Sequence, residues 1–170
     1  MNLCVLVKTY ESQKYFMELE KAKVKFYNMT LVYDKDLKRI LFCKRKKNPY
    51  KDKLNFPGGK LEEGEQSINA AYRELDEETG YGRSDVTPLC HLIDFTYYTT
   101  ERMVEFYVCK LLIDKEPIQE EGGNELVWIN INGTDFSDVD VFAGDGNVLH
   151  CYNMAEKYRH NIFSENVVHS

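Results

Sequence analysis

No stretch of the 170-residue sequence is apolar for long enough to cross a membrane. The short apolar run at its start, Met1 to Val7, follows no positively charged segment, so the expectation is a chain without secretory leader or membrane anchor. The five cysteines, Cys4, Cys43, Cys90, Cys109 and Cys151, are odd in number and contain no C-x-x-C pair. Most lie in apolar runs, where a free thiol behaves as a small hydrophobe, so reduced thiols and a cytoplasmic setting are expected. Histidine is scarce, and His91, His150, His160 and His169 show no H-E-x-x-H spacing that would build a zinc site. An EF-hand D-x-D-x-D-G pattern is also missing. Positive charge is in deficit: the formal net charge is -6, which removes the basic footprint expected of a protein that binds long nucleic acid. A small anionic substrate remains compatible if a metal supplies positive charge locally.

Hydrophobic residues, at 43%, suffice for one sizeable core. With no repeat, low-complexity segment or linker in view, residues 1–170 read as a single domain, and 1–23 as a strand-helix extension packed on it. Within that extension Leu3 to Val7 reads as a strand and Glu11 to Ala22 as a helix. Val24 to Tyr33 and Arg39 to Lys44 are rich in β-formers and are joined by the turn Asp34-Lys35-Asp36, which predicts a hairpin. Phe56 to Gly64 carries Pro57, Gly58, Gly59 and Gly64 and reads as a loop of unusual backbone shape. A helix over Glu65 to Thr79 follows, stopped by Gly80. Strands are expected at Val86 to Tyr98, Met103 to Ile113 and Glu125 to Ile131, and a closing helix at Asn147 to Asn161. Strands and helices alternate within one unit, so the fold class is α/β (α+β), a sheet covered by helices.

The chemistry concentrates in GKLEEGEQSINAAYRELDEETGY, Gly59 to Tyr81. On the helix, Ile68, Ala71, Tyr72 and Leu75 fall at i, i+3, i+4 and i+7 and form an apolar stripe. Glu74, Glu77 and Glu78 fall at i, i+3 and i+4 on another face. Like charges so spaced repel by a few tenths of a kcal/mol per pair. Two readings stand for them: a solvated acidic face relieved by Arg73, or oxygen ligands for a divalent cation such as Mg²⁺. The glycine-rich loop entering the helix favours the second, because it lets a polyphosphate approach the backbone closely.

The segment resembles the Nudix box. Its seven strictly typed positions are filled by Gly59, Glu65, Arg73, Glu74, Glu77, Glu78 and Gly80, with Leu75 and Tyr81 at the apolar ones. With each residue type under about a tenth of average usage, a chance match is on the order of one in a million. Tyr81 stands where an aliphatic residue is usual. The resemblance implies an α/β/α sandwich with a mixed sheet between helices, and hydrolysis of a pyrophosphate bond with Mg²⁺, Mn²⁺ being a possible substitute. It implies Glu74, Glu77 and Glu78 as catalytic metal ligands with the Gly59 carbonyl, and Arg73 as the residue that orients Glu77 or Glu65. Family members often need one more acidic residue, for which Glu120, Glu121 and Glu125 are candidates. Glu125 is placed in the metal set because it lies three residues before Trp128.

Asn55 to Glu62 is similar to the corresponding stretch of the MutT-like branch, which acts on nucleoside triphosphates, including oxidised dGTP. This implies a small nucleotide substrate, with nucleoside monophosphate and pyrophosphate as products. Asn28, Lys44, Phe56, Gly58, Gly59 and Lys60 are the candidate substrate-binding residues. Phe95-Thr96-Tyr97-Tyr98 lacks the Ser-Pro-Gly-like element typical of ADP-ribose hydrolases. A diadenosine polyphosphate or other dinucleotide hydrolase is the alternative enzyme, and a silent nucleotide-binding module the alternative outside catalysis. Lys44 to Lys47 is either a phosphate-attracting segment or a solvated strand end. Phe142 to Asn147 is a second glycine-rich turn, which either closes over substrate or, the favoured reading, caps the last helix through Asn147. No membrane or long nucleic acid partner is expected, and a monomer and a homodimer are both open.

Overall fold

The computed structural model describes residues 24–118 and 122–164. The strand and helix expected before residue 24, and the candidates Glu120 and Glu121, lie outside the described residues.

Among the described residues six strands and two helices follow one another: β1 (Lys25–Tyr33), β2 (Arg39–Lys44), β3 (Leu54–Asn55), α1 (Ser67–Thr79), β4 (Cys90–Tyr97), β5 (Arg102–Lys110), β6 (Glu125–Asn130) and α2 (Asn147–Phe163). A single 3₁₀ turn, Tyr98–Thr100, links β4 to β5. The sheet order is β3-β2-β1-β5-β4, with β6 also paired to β2. β1 and β5 run parallel over their whole length, Lys25 beside Arg102 through Tyr33 beside Lys110. The other strand pairings are antiparallel. The sheet is therefore mixed, as the resemblance implied.

Period-two alternation divides the core between the two faces. Leu31, Tyr33, Ile40, Phe42, Phe106 and Val108 join Val148, Cys151 and Ala155 of α2. Val32, Leu41, Tyr107 and Cys109 join Ala71 and Leu75 of α1. The central strands β1 and β5 are thus covered on both sides, which accounts for their nearly unbroken apolar runs. The helix stripe is as expected at Ala71 and Leu75, while Ile68 and Tyr72 pack half-buried at its border. Tyr81 fills the aliphatic position of the box without strain: it is fully buried, and its hydroxyl donates to the Lys115 carbonyl at 2.8 Å.

Several boundaries differ from the sequence reading, each for a local reason. α1 begins at Ser67 rather than Glu65, because Gly64 is left-handed (φ 78°) and Gln66 extended. β4 begins at Cys90 rather than Val86: Val86 makes an isolated bridge to Leu111, and Pro88 has no N–H to continue the ladder. β5 stops at Lys110, leaving Leu112 and Ile113 exposed. β3 is only two residues long and carried no alternation for the sequence to show. α2 is entered through Gly146 (φ 100°) with no side-chain cap, so Asn147 is its first residue and not its cap. The Asn147 amide donates instead to the Tyr97 hydroxyl.

Two polar devices fix the parts that carry the box. Ser67, at the start of α1, donates to the buried Glu105 carboxylate on β5, which also accepts from Tyr107 at 2.8 Å. The β1–β2 hairpin is closed by Asp34, whose Oδ1 accepts the N–H groups of Lys38 (2.7 Å) and Arg39 (3.1 Å) and whose Oδ2 accepts Arg39 Nε at 2.9 Å. Burial opposes the charge on Asp34, but the Arg39 side chain and the two backbone donors outweigh it and hold the carboxyl below its ordinary range. Such a contribution is present above the unfolded-state value and is lost as pH falls through the depressed one. Asp34→Ala is expected to cost about 1.5–3 kcal/mol at neutral pH. Urea denaturation should show that penalty shrinking in acid, where the native Asp34 is protonated.

Candidate active site

The loop between β3 and α1 behaves as an extra strand along β1. Pairing of β1 with β2 has Val32 opposite Leu41 and Tyr33 opposite Ile40, and the loop takes the edge further toward the start of β1. Thr30 N–H donates to Pro57 O (2.8 Å), Asn28 N–H to Gly59 O (2.9 Å), and Leu61 N–H to Phe26 O (3.0 Å). Contact at Gly58 is so close that a Cβ there would stand 2.3 Å from the Asn28 carbonyl oxygen, at a φ of 144°. A Cβ on Gly59 would stand 2.3 Å from Glu74 Oε2. Only glycine fits at 58, where the clash is with backbone; a side chain at 59 would instead push the Glu74 carboxylate aside.

Arg73 organises the acidic helix. Nε and Nη2 grip Glu65 in a fork, both at 3.0 Å. Nη1 donates to Glu74 (2.9 Å) and Glu77 (3.0 Å), and Nη2 also reaches the Lys60 carbonyl at 3.2 Å. All five guanidinium N–H donors are thereby spent. The sequence offered Glu77 or Glu65 as the partner; Arg73 takes both, and Glu74 as well. Glu65, hydrogen-bonded by Arg73, is held below the ordinary glutamate range.

Glu78 has no such partner. Its Oε2 accepts the Gly58 N–H at 2.9 Å, the Cys43 thiol lies 3.6 Å away, and the Asn124 amide stands 3.5 Å from Oε1. All three are neutral. Burial pushes Glu78 above the usual glutamate range, and the nearby Glu74 charge adds to the shift. Glu74 is raised too, again mainly by burial, although Arg73 opposes it. Glu77 differs: its side chain is 57% exposed and rests on Arg73. Among the described residues no three His, Cys, Asp or Glu side chains are gathered around one point. The arrangement is a half-buried, mutually repelling pair, Glu74 and Glu78, with Glu77 outside it.

A cavity of about 650 Å³ opens beside this pair, within the range that takes a drug-sized molecule. Gly58, Gly59 and Glu78 form one end of it, and Phe56, Phe95 and Phe106 contribute apolar wall. Three residues of its lining, Tyr50, Tyr97 and Asn147, take part in two polar links. Tyr50 donates to Asp145 at 2.6 Å, and Asn147 donates to Tyr97.

Of the sequence candidates, Asn28, Phe56, Gly58, Gly59 and Glu78 border this cavity. Asn28 is buried, and neither atom of its side-chain amide has a partner among the described residues. Lys60 is exposed and offers its carbonyl to Arg73. Lys44 and Glu125 are exposed and lie opposite each other where β2 pairs with β6, away from the cavity wall. Asn124, one residue before Glu125, approaches Glu78. Cys43, Arg45, Tyr50 and Asp145 were passed over as well. Arg45 had left a trace in the basic run Lys44 to Lys47, and Asp145 in the glycine-rich turn Phe142 to Asn147.

The NUDIX domain profile matches residues 28–143. An ADP-ribose pyrophosphatase from Methanocaldococcus jannaschii is 33% identical over 103 residues, which are 54% of this chain and 58% of that protein. The chain thus spans less than two thirds of the curated relative it matches. A NUDIX hydrolase from Nitrosomonas europaea superposes with a TM-score of 0.63 at 19% identity, over 81% of this chain and 73% of the other. An Ap4A hydrolase from C. elegans, in a binary complex, gives 0.59 at 20% identity, over 76% and 96%. These structural likenesses are likenesses of fold. The profile match takes in the glycine loop and the acidic helix, and by it the chain belongs to the NUDIX domain family.

Proposed function

We propose that this NUDIX domain hydrolyses a pyrophosphate bond in a nucleoside triphosphate, releasing the nucleoside monophosphate and pyrophosphate, with Mg²⁺ as cofactor and Mn²⁺ as a substitute. One observation carries the reading: a half-buried carboxylate without a cationic partner, Glu78, stands where the Gly58-Gly59 backbone meets a cavity of nucleotide size. Two desolvated carboxylates of hard oxygen donors suit Mg²⁺, which is commonly held by one or two carboxylates together with water and substrate phosphates. Glu74 and Glu78 would hold it, with Glu77 released from Arg73 as a third ligand and the Gly59 carbonyl, already accepting from Asn28, beside them. When bound, the cation supplies neutralisation of phosphate charge and a lowered pKa for water.

The residues of the chain account for the rest. Arg73 fixes Glu74 against Gly59 and the helix against the loop, so the carboxylates are preorganised. Gly58 turns its N–H to Glu78 and so keeps that carboxylate aimed at the cavity. In the reaction a water oxygen bonds to phosphorus and the bridging P–O bond breaks. The electron pair leaves on the bridging oxygen with the departing pyrophosphate, and the water proton passes to a box glutamate. Phosphoryl transfer needs positioning and electrostatics rather than a nucleophilic side chain. The cysteines take no part: Cys43, Cys109 and Cys151 are buried thiols whose pKa burial pushes up.

The name of the curated relative makes ADP-ribose the first competing substrate. A panel of canonical and oxidised nucleoside triphosphates, ADP-ribose, diadenosine polyphosphates and nucleotide sugars, assayed with Mg²⁺ by coupled phosphate release, ranks them. The triphosphates are expected to turn over fastest; a higher kcat/KM for ADP-ribose would replace the triphosphate assignment. Glu74→Gln, Glu77→Gln and Glu78→Gln are each expected to lower kcat by roughly 10²–10⁴-fold with the circular dichroism spectrum unchanged. Wild-type turnover by all three would remove the glutamates from the mechanism.

The raised carboxylates also give a pH signature. A glutamate whose folded value exceeds its unfolded one favours the protonated folded state, so without metal the pair stabilises in acid and costs stability as pH rises through the raised values. A bound cation offsets that cost and adds its own binding energy. The rise in Tm produced by saturating Mg²⁺ is expected to be larger at about pH 8 than at about pH 5. Scanning calorimetry with and without Mg²⁺ checks this, and an equal or reversed difference would contradict it.

A further inference from the structure

Asn28 carries a polar side chain into the middle of the sheet. It is 1% exposed, and neither its Nδ2 nor its Oδ1 meets a partner among the described residues. Buried amides are nearly always hydrogen-bonded, because an amide taken out of water without a partner costs free energy. Thr30 Oγ1, two residues on, is in the same condition.

Register shows where the Asn28 side chain points. Along β1, Val32 belongs to the layer against α1, while Leu31 and Tyr33 belong to the layer against α2. By the period of two, Asn28 and Thr30 point with Val32 toward α1. Tyr27 and Met29, which line the larger cavity, point the other way. The neighbours of Asn28 across the sheet share its face. On one side stands Glu105 of β5. On the other stands Gly59, whose carbonyl accepts the Asn28 N–H in the antiparallel pairing of the loop with β1. The Glu74 carboxylate occupies the place where a Gly59 side chain would be, with Oε2 nearest to it. The row across the sheet therefore reads Glu74, Asn28, Glu105.

The two carboxylates are not equally supplied with donors. Glu105 accepts from Ser67 and Tyr107. Glu74 accepts from Arg73 at Oε1, and its Oε2 accepts no hydrogen bond among the described residues. Oε2 is thus an acceptor without a donor, and the Asn28 amide beside it is a donor without an acceptor. Cross-strand neighbours have Cβ atoms about 5 Å apart. That is too long for one hydrogen bond and suits two in series, at about 2.8 Å each. A buried water makes about three hydrogen bonds to groups otherwise unsatisfied. Asn28, Glu74 and Thr30 offer that number of partners on one face.

We propose that Asn28 is a positioning residue for Glu74: through one ordered water its amide holds Oε2, as Arg73 holds Oε1. This deepens the hydrolase reading and rests on it for the role of Glu74. A carboxylate held at one oxygen can swing about its Cγ–Cδ bond, whereas one held at both keeps a single direction. Each carboxylate oxygen has more than one lone pair, so Oε2 can accept from the water and still serve a cation. Strand and helix then share the task of aiming Glu74.

The water is sought first in the metal-free, ¹⁵N-labelled protein, where the Asn28 side-chain amide protons are expected to show cross-relaxation with a bound water. Asn28→Leu keeps the volume and discards the amide. It is expected to lower kcat by roughly 10–100-fold, with KM within about twofold of the wild type. Its Tm should be no lower, since the amide it removes has no protein partner. Asn28→Ser keeps a donor and admits a further water, and is expected to retain more activity than Asn28→Leu. A side chain that only fills the core would give the reverse order, with Asn28→Leu fully active and Asn28→Ser both less stable and less active. That order, or an Asn28 amide without a bound water, overturns the assignment. Should Asn28→Leu fail to fold, the water signal and wild-type kcat in Thr30→Val and Asn28→Ser together would decide against the bridge. No turnover of any compound by the wild type would instead refute the hydrolase reading, and the metal-free measurement would still decide whether Asn28 holds a water.

Discussion

The site depends on one guanidinium. Arg73 spends its five N–H donors on Glu65, Glu74, Glu77 and the Lys60 carbonyl, and so joins loop to helix and holds three of the four box carboxylates together. Without it the acidic face would spread, because glutamates at such spacing repel. The fourth carboxylate is left out, and that exclusion matters as much as the grip. Glu78 sits one turn beyond Glu74, faces away from Arg73, and is satisfied only by neutral donors. A single cation thus produces both an organised cluster and a carboxylate still in need of one.

This arrangement stands because the flanking elements do not yield. The loop is clamped to β1 through three backbone hydrogen bonds, and α1 is tied to β5 through Ser67 and Glu105. β1 and β5 lie side by side in parallel register in the middle of the sheet. Loop and helix are therefore referred to the same rigid pair of strands, one from its edge and the other from its face. Close packing of the two apolar layers makes that reference stiff.

Where a signal was local, the sequence displayed it. The carboxylate spacing, Arg73, Gly59 and the Gly80 stop all fall within 23 consecutive residues, and helical periodicity is enough to set them on a common face. The hairpin was legible for the same reason. What escaped was long-range. Asn124 meets Glu78 from 46 residues away and Glu105 meets Ser67 from 38, and each depends on which strand pairs with which. Asn124 stands just before β6 begins at Glu125, so its approach to Glu78 rests on where that strand is placed against β2. Asn147 had the chemistry of a cap, yet the left-handed Gly146 already fills that position, and the amide turned to Tyr97. The basic run Lys44 to Lys47 was visible but ambiguous, because a strand end and an anion site share a composition and differ only in what stands across from them.

The Tyr50–Asp145 link has a different construction from the acidic helix. The two residues meet from turns 95 residues apart, and neither turn belongs to the sheet. Helix and turns are thus built from separate stretches of backbone, and a substitution in either turn leaves the strands, the helix and the glutamates resting on contacts that it does not touch.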